Sequence, residues 1–223
     1  MLDMATVKTI ETEIECSVCG CRSLHDVITE TAMGGAPDLD LRPGEPHRSS
    51  MNYWVMECPE CGYCNSKLSV PAAFSRDYLD TDEYRTVCGI PTDNELARRF
   101  IKKALVCIQN ENYPEAVQAY LYAAWSLDDA GDNSSAVVCR MEGARVIDEH
   151  LDSLGKTEDF LVIKADFLRR SGEFDRVISE FEGKAFSTDL LTAIAWFEVS
   201  LAARKDSAAH KVTEIPGVEL KQN

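Results

Sequence analysis

The second half of the chain alternates apolar and polar residues with the period of an α-helix. In "NELARRFIKKALVCIQNEN", apolar residues recur at spacings of four, four and three and share one helical face: Leu96, Phe100, Ala104 and Cys107. The next stretch, "YPEAVQAYLYAAWSLDDAGD", places Ala116, Tyr120 and Ala123 in the same way. Pro114 falls in its first turn, where the missing N–H is not needed. The pattern predicts an array of four to six helices.

A similar segment returns further along the chain. "RRSGEFDRVISEFEG" matches "IQNENYPEAVQAYLY" in outline: a polar turn, an aromatic, a small apolar residue three positions on, and a second aromatic four positions further. The matched pairs are Tyr113 with Phe174, Ala116 with Val177, and Tyr120 with Phe181. This outline resembles the turn and second helix of tetratricopeptide-like repeats, in which small residues let paired helices approach closely.

The spacing of the two segments is not that of a regular array. They lie 61 residues apart, less than two repeats of about 34 residues. The segment between them, "SSAVVCRMEGARVIDEHLDSL", is therefore expected to be irregular. A final helix in "STDLLTAIAWFEVSLAARKDSAAHK" would cap the stack.

The first half has a different composition, rich in Gly, Pro and strand-forming residues. "ETEIEC" at 11–16 and "NYWVMEC" at 52–58 are predicted strands. Pro91 discourages the preceding secondary structure from continuing into the second half. Thr92 and Glu95 have capping-box spacing at the start of a helix. We therefore expect a hinge at 85–92, a metal-binding domain over 1–90, a helical domain over 91–211 and a loose tail over 212–223.

Two short cysteine motifs carry the clearest chemistry in the chain. "ECSVCGCR" at 15–22 and "ECPECGYC" at 57–64 each contain a CxxCG unit. A CxxC turn points two sulfurs at one centre, and the Gly that follows allows a positive φ. Two such pairs predict a tetrahedral four-thiolate metal site, formed by Cys16, Cys19, Cys58 and Cys61. The predicted fold is α+β and mainly α: a zinc-ribbon or rubredoxin-like domain followed by a tetratricopeptide-like antiparallel helical array.

The motif leaves the metal open between Zn²⁺ and iron. Zinc with four protein ligands would be structural, because no position remains for water. Iron would make the site redox-active, and "RPGEP" followed by "NYWVMECPECG" is locally similar to rubredoxin. Rubredoxins, however, have a shorter segment between knuckles than the 38 residues that separate Cys19 from Cys58. Four buried cysteines without a metal are a third possibility.

Several other residues near the knuckles need an interpretation. Cys21 and Cys64 are expected to be thiols just outside the metal site, because an iron–sulfur motif through Cys64 would require a fourth cysteine where Leu68 stands. The long insertion between the knuckles contains Asp38, Asp40 and Arg42. A charged, Pro-rich segment of this kind is most often a solvated loop, although these residues could also hold a shape or bind a partner. His25 and His47 are expected at the surface.

Charge and composition limit the partners. The formal net charge is −15 over 223 residues, with 7 Lys/Arg against 15 Asp/Glu in 1–90 and 16 against 23 in the remainder. Neither half has the basic face that nucleic acid requires. The start of the chain has no signal-peptide pattern, and "LLTAIAWFEVSLAA" is too short to span a bilayer and includes Glu198. We expect a cytoplasmic protein, whose nine cysteines are metal ligands and reduced core thiols.

The order of these features resembles one known family. A CxxCG unit, a polar insertion with "DLDLRP", an aromatic strand into "CPECGY" and tetratricopeptide-like helices are similar to domain-of-unknown-function family 2225. The resemblance covers about residues 10–200, and its specific part is the two knuckles. It implies a four-cysteine metal site at the positions given above, but no established activity, and Cys21 and Cys64 depart from the family pattern.

The sequence shows no catalytic motif such as GxSxG, GxxxxGK[ST], HExxH or GxGxxG. We therefore expect a non-enzymatic zinc-binding protein whose helical domain binds another protein. The alternative is a rubredoxin-like iron module for electron transfer, docked through the helices. A third hypothesis is a thiol sensor that uses Cys21 or Cys64, which would require a lowered thiol pKa.

Overall fold

A computed structural model describes residues 7–32 and 34–218 of the chain. The fold is α+β and mostly helical, as the sequence predicts, with the cysteine knuckles near the N-terminus. Within the described residues, no helix is long and apolar enough to cross a membrane.

The N-terminal part contains two small antiparallel sheets. A hairpin pairs β1 (Lys8–Glu15) with β2 (Arg22–Glu30), and two short strands, β3 (Met56–Glu57) and β4 (Cys64–Asn65), pair around the second knuckle. The predicted strand at 11–16 is confirmed. The predicted strand at 52–58 is mostly wrong, because Arg48–Tyr53 forms 3₁₀ turns and only two residues of the segment pair.

Seven α-helices follow within the described residues: α1 (Asp82–Arg85), α2 (Glu95–Gln109), α3 (Tyr113–Ala130), α4 (Asn133–His150), α5 (Thr157–Arg170), α6 (Phe174–Phe181) and α7 (Asp189–Ala203). From α2 onward each helix packs on the next one, and α7 also packs on α5. Short connections join the neighbouring helices. The expectation of an irregular segment between the two similar stretches is wrong, because Asn133–His150 is one regular helix.

The start of α2 differs in detail from the capping prediction. The cap is Asn94, whose side chain accepts a hydrogen bond from the amide of Ala97 at 2.9 Å. Thr92 lies two residues earlier and accepts from the amide of Asn94. Asn is as good a cap as Thr, so spacing alone did not identify the cap residue.

One apolar core runs through both parts of the chain. Cys16, Met56 and Tyr63 of the knuckle region belong to the same cluster of buried residues as Phe100 of α2 and Phe167 of α5. The predicted apolar faces of α2 and α3 are part of this cluster. Cys107 and Cys139 are buried, as expected for core thiols. The knuckle region therefore shares its core with the helices.

The insertion between the knuckles is folded against the helices, and the expectation of a solvated loop is wrong. Asp40 and Arg42 are 1% and 2% exposed. Leu39 enters a second apolar cluster with Val162 of α5 and Ile194 of α7. The sequence does not predict the burial of Asp40 and Arg42, because their partners lie more than 80 residues away in the chain.

The segment after α7 completes this second cluster. Asp38 forms an isolated bridge with Lys211, and Val212 and Ile215 are buried beside Leu39. The prediction of a loose tail over 212–223 is therefore wrong for 212–215, because these residues cover the insertion. The last five positions of that tail, 219–223, lie outside the described residues.

Candidate metal centre

The two CxxCG units fold into the same knuckle. In the first, the amide of Gly20 donates to the carbonyl of Cys16 at 2.8 Å, and Gly20 has a φ of 74°. In the second, the amide of Gly62 donates to the carbonyl of Cys58 at 2.9 Å, and Gly62 has a φ of 71°. Glycine adopts this left-handed conformation without a steric penalty. This explains why glycine follows each cysteine pair.

The four cysteine side chains converge on one point. Their sulfur atoms all lie within 4.8 Å of one another. The Sγ atoms of Cys16 and Cys61 are 3.7 Å apart, and those of Cys19 and Cys58 are 3.6 Å apart. A zinc ion with Zn–S bonds of about 2.3 Å requires tetrahedral S···S edges of about 3.8 Å. The residues present therefore fit a tetrahedral four-thiolate ion.

Backbone amides of the knuckles oppose the cost of burying thiolate charge, and they outweigh it at Cys58, whereas burial keeps the pKa values of Cys16 and Cys61 raised. Burial works against ionisation of Cys58, but the amides of Cys61 and Glu60 donate to its sulfur and bring its pKa down to about 7. Burial is also the largest influence on Cys16 and raises the pKa of that thiol, despite hydrogen bonds from the amides of Cys19 and Val18. Amides that face the sulfurs are the usual outer partners of thiolate metal sites.

The two knuckles are joined by the segment that follows the second one. The amide of Ser17 in the first knuckle donates to the carbonyl of Leu68 at 2.9 Å. The hydroxyls of Ser17 and Tyr63 both donate to the carbonyl of Val70, at 2.6 and 3.1 Å. One short stretch of backbone thus fixes the two cysteine pairs relative to each other.

The helical half supports the second knuckle directly. The hydroxyl of Tyr84, in α1, donates to the carbonyl of Gly62 at 2.7 Å and accepts from the amide of Cys64 at 3.1 Å. Lys102 of α2 forms an ion pair with Glu57, the residue before Cys58. Tyr84 is buried, so this support lies in the interior rather than at the surface.

The remaining cysteines lie outside the cluster of four. Cys64 is fully buried with its sulfur 3.6 Å from the carbonyl of Gly62, and burial is the largest cause of its raised pKa. Burial and the neighbouring Cys58 raise the pKa of Cys21. A raised pKa means less thiolate at neutral pH, which is the opposite of what the thiol-sensor hypothesis requires.

The assignment of this centre rests on its geometry. Comparisons with family models, curated proteins and solved structures found no match. The two histidines near the knuckles do not join the sulfur cluster. His25 is hydrogen-bonded to Ser23 at 2.8 Å, and His47 packs on Trp54 with ring centroids 4.8 Å apart.

Sequence reasoning missed a second site, in which the insertion meets the helices. The indole of Trp125 in α3 donates to Asp40 at 2.6 Å, and Arg170 of α5 lies 3.7 Å from the same carboxylate. Arg42 forms an ion pair with Asp129 and lies over the Trp125 ring at 5.6 Å. The "DLDLRP" motif was the available signal, since it places two leucines among the charges of an otherwise polar insertion.

A network of buried charges continues from this point into the helices. Arg170 and Arg140 both pair with Asp128 of α3, and Arg169 pairs with Asp166 and with Glu198 of α7. The pKa of Glu198 is raised to about 8: burial and the nearby Asp166 raise it, and Arg169 acts in the opposite direction. Burial likewise raises the pKa of Asp40 to about 6. The network connects the insertion with four helices, α3, α4, α5 and α7.

Proposed function

We propose that the four thiolates hold a structural zinc ion. The observation that carries this proposal is the convergence of four sulfurs within 4.8 Å on two glycine-terminated knuckles. Cysteine sulfurs fill all four tetrahedral positions, so no open position remains for a metal-bound water or substrate. The ion would supply folding free energy and no chemistry, in a protein without enzymatic activity.

Elemental analysis with a visible spectrum tests the metal, on protein purified without added metal. We expect about one zinc per chain and no colour, because Zn²⁺ has a filled d shell. About one iron per chain with a reversible visible band would replace zinc with the rubredoxin-like alternative, in which the same centre transfers electrons.

We further propose that the helices form a tetratricopeptide-like array that binds another protein, and that the chain belongs to domain-of-unknown-function family 2225. The support for binding is that α3, α5 and α7 already hold a turn of this chain, residues 38–42, through side-chain contacts. Groove-shaped helical surfaces of this kind commonly bind peptides. The insertion is then a first occupant, and a partner segment lies beside it.

A cavity next to the insertion offers room for that segment. It measures about 290 Å³ and lies between α3 and the start of α5, with Leu41 of the insertion at its edge. Leu41 is 55% exposed although its neighbours on both sides are buried. The apolar side chains that line the cavity include Val117, Leu121, Phe160 and Ile163.

Affinity capture with matched variants tests this surface. We expect a protein that binds the wild-type chain to be lost with Leu41→Asp and Phe160→Ala, since both change the cavity. It should be retained with Val138→Asp, because Val138 is an exposed residue of α4 that does not line the cavity. Equal capture by all four proteins would contradict the proposal, as would the absence of any captured protein.

A further inference from the structure

The last helix, α7, has an exposed face that is unusual for this chain. Its buried side packs on α5 and α6 through Ile194, Ala195, Glu198, Leu201 and Ala202. On the opposite side, Trp196 is 57% exposed. Ala193, Val199 and Ala203 lie on the same side and are at least partly exposed, and apolar side chains grouped on a surface helix mark an interaction site more often than single exposed ones do.

The exposed face carries no charge along its length. Between Leu190 and Ala203 the only ionisable side chain is Glu198, and Glu198 is fully buried on the other side. The chain as a whole is 27% charged, and an outward helix face is normally polar. The side opposite the buried residues forms one surface, the α7 face, with Trp196, Ser200 and Ala203 exposed along its middle and the half-buried Thr192, Ala193 and Val199 at its margins.

The two ends of this uncharged face carry opposite charges. Asp189 begins α7, and Arg204 and Lys205 follow its last residue. Asp189, Trp196 and Ala203 are spaced by seven residues, so they lie in one line along the helix. Trp196 is near the midpoint, seven residues after Asp189 and eight before Arg204. When a second copy of this helix is placed antiparallel to the first, the acidic end of each helix lies opposite the basic end of the other, and the two apolar centres meet.

We propose that two copies of this chain associate through their α7 faces, with the two helices antiparallel. A two-fold axis near Trp196 places Asp189 of each copy opposite Arg204 and Lys205 of the other, and brings the two indoles together. An interface of this kind uses the same surface on both copies, as two-fold symmetry requires. The small residues Ala193, Ser200 and Ala203 allow the helices to approach closely. The inference goes beyond the proposed function and does not depend on it.

The central side chain is already held in place for such a contact. The indole N–H of Trp196 donates to the carbonyl of Lys184 at 3.1 Å. A fixed aromatic side chain loses little conformational entropy on binding, so most of its buried area contributes to affinity. A single helix pair covers less than the ~800 Å² per partner of a standard interface. We therefore expect a dissociation constant in the micromolar range.

Sedimentation equilibrium of the full chain over a concentration series tests the proposal. We expect the mass to rise from that of one chain to that of two, and Trp196→Glu to abolish the rise. Trp196→Phe should keep most of it, because the ring remains. Leu24→Glu is the matched control: Leu24 is 61% exposed on β2, away from α7, and its substitution should leave the association unchanged. A wild-type chain that stays monomeric throughout, or a Trp196→Glu chain that associates normally, overturns the proposal.

Charge exchange tests the antiparallel arrangement separately. Asp189→Lys alone should weaken association by about fivefold, since two exposed ion pairs become repulsive contacts. Adding Arg204→Glu in the same chain should restore part of it, because the pair between positions 189 and 204 is re-formed with its signs exchanged while Lys205 is unchanged. Far-UV circular dichroism of each variant confirms that α7 is folded. A double variant as weak as the single one would overturn the antiparallel pairing.

Discussion

At the scale of single residues, the four cysteines act as a unit while the other cysteines do not. Each of the four lies within 4.8 Å of the other three sulfurs. Removing one cysteine would leave three ligands and an open position. The affinity for the metal ion would fall, and the ion would hold the two knuckles together less firmly. The identity of the ligand set can therefore be read from metal content alone.

Replacing Cys61 with Ser should reduce bound metal from about one ion per chain to a small fraction of that. The free energy of unfolding should fall by several kcal/mol, because metal binding is folding free energy in sites of this kind. Metal analysis and urea unfolding measure the two effects. Cys88→Ser serves as the control, since Cys88 is exposed and outside the cluster. Equal metal loss in both variants would contradict the ligand assignment.

The knuckle glycine gives a second test at this scale. Gly20 has a φ of 74°, and a Cβ at this position would meet nothing within 4 Å. Gly20→Ala should therefore cost about 1–2 kcal/mol of stability through backbone strain alone. Gly20→Asn should cost less, because Asn tolerates the left-handed conformation. Urea unfolding of the metal-loaded variants checks the order, and an Asn variant less stable than the Ala variant would contradict the explanation.

At the scale of elements, the insertion behaves as part of the helical packing. Asp40 joins α3 through Trp125 and α5 through Arg170, while Leu39 reaches α7. A polar segment becomes part of a core when each of its charges finds a partner. The insertion therefore stabilises the contact between the metal region and the far end of the helices.

Asp40→Ala should destabilise the chain by about 3 kcal/mol, because it leaves the buried indole N–H of Trp125 without its acceptor and removes one of the two carboxylates that pair with Arg170. The comparison is Arg48→Ala, which removes the more exposed ion pair of Arg48 with Asp38 and should cost under about 1 kcal/mol. Urea unfolding measures both. Similar costs for the two variants would show that the insertion does not depend on its buried contacts.

The buried carboxyl of α7 predicts a pH dependence. The pKa of Glu198 is raised to about 8 in the folded chain, above its ordinary value of about 4.3. The folded state therefore binds the proton more tightly, and stability should fall as pH rises from about 5 to 8, by an amount on the order of 2 kcal/mol. Glu198→Gln mimics the protonated form and should flatten this part of the profile. An unchanged slope in Glu198→Gln, from thermal unfolding at fixed ionic strength, would contradict the assignment.

At the scale of the whole molecule, metal and helices should respond together. The core is continuous from Cys16 to Phe167, and the insertion lies between the two cysteine pairs. Removal of the metal frees both ends of the insertion at once. The structure thus gives chelation a route to the far helices.

Chelation should therefore increase amide hydrogen exchange beyond the knuckles. We expect faster exchange in residues 38–42 and in the segment 206–215 that covers them, since Val212 packs on Leu39. Exchange measured by mass spectrometry before and after chelator addition follows both segments, with α3 as an internal reference. Faster exchange confined to the hairpin and knuckles would show that the two regions respond independently.

How much of this arrangement the sequence could predict depends on the range of the interactions. The knuckles were predictable because spacing and glycine act over five residues, and the sulfurs do converge as expected. The burial of Asp40 was not, because its partners Trp125 and Arg170 are 85 and 130 positions away. Helical periodicity predicts the apolar faces of α2 and α3. The spacing of the two similar segments does not predict the regular helix α4, because a helix need not belong to a repeat of fixed length.

The docked insertion also limits how this protein can change during evolution. Connecting loops normally accept added or deleted residues, because nothing fixes their middle. This one is fixed at three places, by a cysteine pair at each end and by Leu39 and Asp40 in between. Length changes should therefore be confined to positions outside β2, residues 38–42 and the 3₁₀ turns of Arg48–Tyr53. If the coding sequence for either half were lost, the remaining half would expose the apolar residues that the missing half covers.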